Sequence, residues 1–176
     1  MNLPNKLTLL RMGMIPLFVI FMMVPFAAGR YIALAIFIAA SLTDTADGYI
    51  ARKYHLVTDF GKFMDPLADK LLVSSAMICL VHTGEIPFWV VIIIIAREFI
   101  ISGFRLVAAD NGIVIAASMW GKVKTVCQMV MVIVILLNIP SWHILELILI
   151  YASLVLTIVS LADYMRKNWH VLGTER

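Results

Sequence analysis

The sequence predicts an all-α integral membrane protein, a bundle of six transmembrane helices with a short N-terminal interfacial segment. Three observations carry that expectation. Of the 176 residues, 62% are hydrophobic and only 14% charged, against roughly 45–50% and 25% in an ordinary soluble domain. The mean hydropathy is +0.99. The apolar residues fall in six runs, near 9–27, 31–53, 62–82, 87–108, 117–139 and 142–165, each close to the roughly 20 residues a helix needs to cross the hydrocarbon core. In lipid only helices and closed barrels satisfy the backbone, and these runs are too long and too evenly apolar for barrel strands.

The first run follows the polar residues Asn5, Lys6, Thr8 and Arg11 and ends in Ala27-Ala28-Gly29. That ending resembles a signal-peptide cleavage site, but the polar residues look placed for use and five further spans follow, so the segment is expected to be retained. An interfacial helix is the competing reading of its first residues and the preferred one for Lys6. The second run closes on Arg52-Lys53, the third opens around Asp65-Pro66, and the fourth carries Arg97-Glu98 directly after Val90–Ile95. The fifth holds Lys122 and Lys124 near its start, and the sixth ends on Arg166-Lys167. No internal repeat or linker divides them, so residues 1–176 read as one domain.

Lys6, Arg11, Arg52, Lys53, Lys62, Arg105, Lys122, Lys124, Arg166, Lys167 and Arg176 fall on one side of such a bundle, and only Arg30 on the other. By the positive-inside rule both termini are cytoplasmic. The net charge of +3 is then a topology signal rather than a sign of nucleic-acid binding. Cys79 and Cys127 sit inside apolar runs and read as reduced packing residues. Trp89, Trp142, Trp169 and Tyr164 read as belt residues at the membrane interfaces. His55, His82, His143 and His170 and the eleven methionines are given no chemistry.

Acidic residues inside spans are costly and therefore functional suspects. Five acids lie within residues 41–70, and the pattern Asp44-x2-Asp47-Gly48-x2-Ala51-Arg52-x8-Gly61-x3-Asp65-x3-Asp69 fixes eight residues in 26 positions. At about 100° per residue, Asp44, Asp47, Gly48 and Ala51 form one helical stripe, and Gly61, Asp65 and Asp69 a second. If the two stripes face each other, four carboxylates converge near the cytoplasmic surface. Such a cluster requires cations, and an all-oxygen donor set suits Mg²⁺ or Mn²⁺. Metals held this way complete their shells with substrate phosphates. Gly48 and Ala51 leave room for a bulky ligand, and Arg52 can grip a phosphate. The plainer reading has the acids capping helices and pairing with Arg52, Lys53, Lys62 and Lys70, with Asp65 an N-cap ahead of Pro66. It explains one or two acids rather than four on two stripes.

This pattern resembles that of the CDP-alcohol phosphotransferase family, whose members use a divalent metal to transfer a phosphoalcohol from a CDP-alcohol to an acceptor hydroxyl and release CMP. The resemblance implies six transmembrane helices in a homodimer. It further implies that Asp44, Asp47 and Asp65 bind metal and that Asp69, also near the metal, is the catalytic base. Gly48, Ala51, Arg52 and Gly61 would line the CDP site, with Asn5, Thr8 and Arg11 near the nucleotide.

Within the family the chain is similar to the branch that makes phosphatidylglycerophosphate from CDP-diacylglycerol and sn-glycerol 3-phosphate. Asn2-Leu3-Pro4-Asn5-x-Leu7-Thr8-x-x-Arg11, Ala96-Arg97-Glu98-Phe99 with Arg105, and Gly121-Lys122-x-Lys124-Thr125 carry that likeness. The acceptor is a small dianion that needs fixed cations, and Arg97, Arg105, Lys122 and Lys124 are the candidates. Arg97 and Arg105, eight apart, can face one cavity. Their alternatives are pairing of Arg97 with Glu98 or Asp163 and snorkelling of Arg105; Lys122 and Lys124 can also sit among cytoplasmic headgroups. Rival functions are the same chemistry with inositol phosphate or serine as acceptor, and a cation-coupled membrane transporter.

Overall fold

The computed structural model describes residues 3–26, 28–54, 59–110, 112, 115 and 118–169; the side chains of 3, 4, 45–52, 59, 60, 62, 63 and 110 lie outside that description. Among the described residues there is no strand. The helices are α1 (Leu3–Met23), α2 (Gly29–Lys53), α3 (Asp59–His82), α4 (Phe88–Asp110), α5 (Met119–Leu137) and α6 (His143–Asn168), with one 3-10 turn at Pro140–Trp142 before α6. All-α architecture is therefore as the periodicity predicts.

By length and apolarity alone, three stretches suffice to cross a membrane: Asn5–Met23, Met119–Leu137 and Pro140–Asn168. The other three helices are as long, 23 to 25 residues, and charged residues interrupt their apolar runs, as Arg97, Glu98 and Arg105 do in α4. Large apolar side chains such as Leu10, Ile20, Ile92, Ile144, Ile148 and Ile158 lie exposed on the outer faces, as befits contact with acyl chains rather than water. The chain is a multi-pass membrane protein.

Two boundaries differ from expectation. The start of α1 at Leu3 makes the expected interfacial segment part of one continuous helix: Asn5, Thr8, Arg11, Ile15 and Phe18 share a single buried face. Lys6 points off that face and is exposed. Likewise α3 begins at Asp59 with Pro66 inside it, so Asp65 is not an N-cap. A proline there removes the amide that would bond the carbonyl of Lys62, a loss that membrane helices tolerate where neighbouring groups replace it.

The chain forms two compact units, residues 1–85 with 132–139, and 86–131 with 140–176. In the first, α1 packs against both α2 and α3. Phe18 and Phe37 meet with ring centroids 6.1 Å apart, and Ala33, Ala40, Ala68 and Ala76 are fully buried, small enough for close backbone approach where packing rather than water exclusion drives association. At the end of this unit away from the aspartates, α3 stops in a Schellman turn: Glu85 N–H reaches Leu80 O and Gly84 N–H reaches Val81 O, with Gly84 at φ +80°, a conformation glycine adopts without strain. Glu85 accepts from Arg30, which also donates to Ile135 O and to Leu136 O (3.1 Å) at the α5 terminus. The one basic residue assigned to the far side thus caps a helix end.

In the second unit, the buried face of α6 carries small polar residues alongside Ile150, Leu154 and Tyr164. Ser153, Thr157 and Ser160 are fully buried, and each hydroxyl has a partner. Thr157 and Ser160 donate to carbonyls one turn back (2.7 and 2.9 Å), while Ser153 meets Cys127 and Gln128 donates to Thr157. Both cysteines are free thiols.

Candidate active site

In the first unit the acidic stripes are helical, as their spacing requires, because α2 and α3 run unbroken through both halves of the motif. Asp44 on α2 and Asp65 on α3 lie within electrostatic reach of each other. Asp69, one turn beyond Asp65, is half-buried, and Gly61, one turn before it, is buried. The side chains of Asp47, Gly48, Ala51 and Arg52 lie outside the described residues.

The third participant is α1. Arg11, fully buried, places Nη1 2.7 Å from Asp44 Oδ1, and the Thr8 hydroxyl donates to Asp65 Oδ1 at 2.5 Å. One turn of α1 thus holds one acid from each of the other two helices. These side chains were expected near a nucleotide; the direct carboxylate contacts were not foreseen. The clue was present, since an arginine buried in an apolar helix must have an anion, and the unmatched anions all lie in one stretch. Among the described residues no group of three His, Cys, Asp or Glu side chains closes as a metal cage. The donor chemistry nevertheless fits a hard divalent cation: Asp44 and Asp65 offer carboxylate oxygens only, and Arg11 is one cation set against two adjacent anions with a third a turn away.

The second unit holds the basic residues. Arg97 is 7% exposed and Lys124 2%, and both donate to the same oxygen, Glu98 Oε1, Arg97 at 2.9 Å. The Arg97–Glu98 pair, the alternative to acceptor binding, is present, and it includes Lys124, which is buried rather than out among headgroups. Lys122 is exposed. Asp163, the other anion considered for Arg97, pairs with Lys167 at 2.8 Å. Ser118 caps α5 by accepting from Gly121 N–H (3.1 Å). Gly121 lies close to Arg97: a Cβ built there would be in ordinary van der Waals contact with Arg97 Nη2, at 3.5 Å. Glu98 is the residue whose role here escaped sequence reasoning, where it figured only as a competitor for Arg97.

Arg105 is half-buried. Its guanidinium lies 5.9 Å from the centre of the Tyr164 ring, and Tyr164 is 2% exposed. That corrects the expectation of Tyr164 as an interfacial belt residue: its place on α6 continues the Ser153, Thr157, Ser160 face, which is turned inward. Trp89, Trp142 and Trp169 are exposed, as a belt requires.

Asp44 of α2 and Asp65 of α3, two acids of the aspartate motif, are thus both bound by α1, and comparison with known proteins gives the family that carries this motif. The family model for CDP-alcohol phosphatidyltransferase matches residues 1–159. The chain belongs to that family. A CDP-diacylglycerol–glycerol-3-phosphate 3-phosphatidyltransferase of Bacillus subtilis (strain 168) is 50% identical, covering 98% of each chain. One of Haemophilus influenzae is 40% identical over 94% of this chain and 92% of its own. A probable phosphatidylglycerophosphate synthase of Mycobacterium tuberculosis (strain H37Rv) is 38% identical over 98% and 84%. Membership in the CDP-alcohol phosphatidyltransferases excludes the transporter alternative as the main reading.

Proposed function

We propose that this chain transfers the phosphatidyl group of CDP-diacylglycerol to sn-glycerol 3-phosphate, giving phosphatidylglycerophosphate and CMP. The observation that supports it most is the intact eight-residue aspartate motif, with Asp44 bound by Arg11 and Asp65 by Thr8. The relatives named above carry the same activity in their names.

In this reading the acceptor hydroxyl oxygen bonds to the lipid-side phosphorus, the bond from that phosphorus to the CMP oxygen breaks, and the acceptor proton passes to the Asp69 carboxylate. Asp69 is suited to this by its place one turn from Asp65, half-buried and beside the other acids. Asp44, Asp47, Asp65 and Asp69 would hold the divalent ion, Mg²⁺ or Mn²⁺, whose charge offsets that of the diphosphate. Arg11 and Thr8 keep Asp44 and Asp65 in place, and Asn5, Gly48, Ala51, Arg52 and Gly61 complete the CDP side. Arg97, Arg105, Lys122 and Lys124 bind the acceptor phosphate, aligning its hydroxyl. The two units act as parts of one catalytic domain, all six helices cross the bilayer with both termini and the active site cytoplasmic, and the protein works as a homodimer.

The test is CMP release from CDP-diacylglycerol by purified protein with Mg²⁺ or Mn²⁺, offered glycerol 3-phosphate, inositol phosphate or serine. Release with glycerol 3-phosphate alone is expected. Release with another acceptor keeps the aspartate chemistry and overturns the acceptor assignment. No release with any of them, or release that persists in excess chelator, overturns the proposal.

A further inference from the structure

Tyr164 has a buried hydroxyl with no hydrogen-bond partner among the described residues, and the same is true of Arg105 Nε beside it. The rest of the tyrosine is fully accounted for. Its ring stacks edge-to-face on Phe104, 5.8 Å between centroids at 85°, packs with Ile101 and Ala108, and supports the Arg105 guanidinium at 5.9 Å, within the range of a cation–π contact. Phenylalanine would do all of this. The hydroxyl adds only a desolvated donor, which is costly when unpaired, and the other hydroxyls on this face of α6 do not share that condition, because Thr157 and Ser160 bond their own backbone.

Two neighbouring side chains thus each bury an unspent donor, and one of them is cationic. What satisfies both is a group made of acceptors and bearing negative charge. A phosphate has that chemistry; a neutral alcohol or a metal ion does not. We infer that the Tyr164 hydroxyl, together with Arg105, donates to the phosphate of the acceptor, making Tyr164 a specificity-determining residue for phosphorylated acceptors. The inference rests on the assignment of Arg105 to the acceptor given above. The same chemistry could come from the lipid donor's diphosphate, and the two sources separate experimentally.

Tyr164→Phe keeps the ring, the Phe104 contact and the support of Arg105, and removes only the hydroxyl. Three readouts are taken on the full-length protein in detergent: KM for glycerol 3-phosphate, KM for CDP-diacylglycerol, and thermal unfolding with and without glycerol 3-phosphate. The expected result is a KM for glycerol 3-phosphate raised about tenfold, the scale of one hydrogen bond to a charged group. The KM for CDP-diacylglycerol and kcat should stay within about twofold, and stabilisation by glycerol 3-phosphate should weaken. The ligand-free variant should be at least as stable as the parent, since an unpaired buried hydroxyl has been removed.

Unchanged KM for glycerol 3-phosphate overturns the inference, as does a rise confined to CDP-diacylglycerol. A less stable ligand-free variant also overturns it, because the hydroxyl would then have a structural partner. Arg105→Ala, measured alongside, separates this from the parent reading. If Arg105→Ala raises the KM for glycerol 3-phosphate and Tyr164→Phe does not, Tyr164 alone is misassigned. If neither does, the acceptor assignment of Arg105 falls as well.

Discussion

The polar clusters of the two units are opposites in sign. In the first, Asp44, Asp65 and Asp69 are set against one buried arginine, Arg11, assisted by the hydroxyl of Thr8. In the second, Arg97 and Lys124 share the Glu98 carboxylate, and Arg105 lies over the ring of Tyr164, whose hydroxyl is unspent. Each unit therefore contains a counter-ion on its polar cluster, Arg11 on Asp44 in one and Glu98 between Arg97 and Lys124 in the other. In the proposed function a cation and its diphosphate partner belong at the acids, and a phosphate at the bases.

Breaking the acidic side should have the largest effect. Asp69→Asn keeps shape and removes the proton acceptor, so turnover should fall by roughly 10²–10⁴-fold, the usual contribution of a general base, while CDP-diacylglycerol binding stays measurable. Near-normal turnover would remove Asp69 from that role. On the basic side the effect should be smaller and confined to one substrate. Arg105→Ala should raise the KM for glycerol 3-phosphate by about 10- to 100-fold, as loss of a charged hydrogen-bond donor does, and leave that for CDP-diacylglycerol nearly unchanged. Equal effects on both would erase the division between the two sites.

The internal counter-ions sharpen the comparison in a different currency. Arg11→Gln leaves Asp44 facing Asp65 without its cation, which should lower thermal stability, though by less than the roughly 3–5 kcal/mol of a fully buried pair, because the Asp44 side chain is 38% exposed. Added Mg²⁺ or Mn²⁺ should recover more stability in this variant than in the parent, since the metal then takes over the neutralising role. Equal stabilisation of both proteins would show that Arg11 does not balance the acids.

Residues 44–69 were legible because their chemistry is local. Spacing of three and four puts acids and small residues on one helical face, and that holds wherever the helix packs. The ends of α1 and α3 were misread for a related reason: a polar start and an Asp-Pro pair are ordinary helix-entry signals, and only packing against neighbours decided that both helices begin earlier. Tyr164 was misread because an aromatic residue near a span's end suits a belt equally well from either side of the helix, and periodicity does not say which side faces lipid.

What the sequence determined by itself was the helical membrane class, the aspartate stripes and the family, all of which follow from composition and short-range periodicity. Only the tertiary structure decided that Arg11 and Thr8 hold the acids, that Glu98 joins Arg97 to Lys124, and that Arg105 rests on a buried Tyr164. Those are contacts between helices as much as 59 residues apart in sequence, from Arg105 to Tyr164. Charge pairing over such separations depends on which faces meet, and a single chain of letters does not contain that until it is folded.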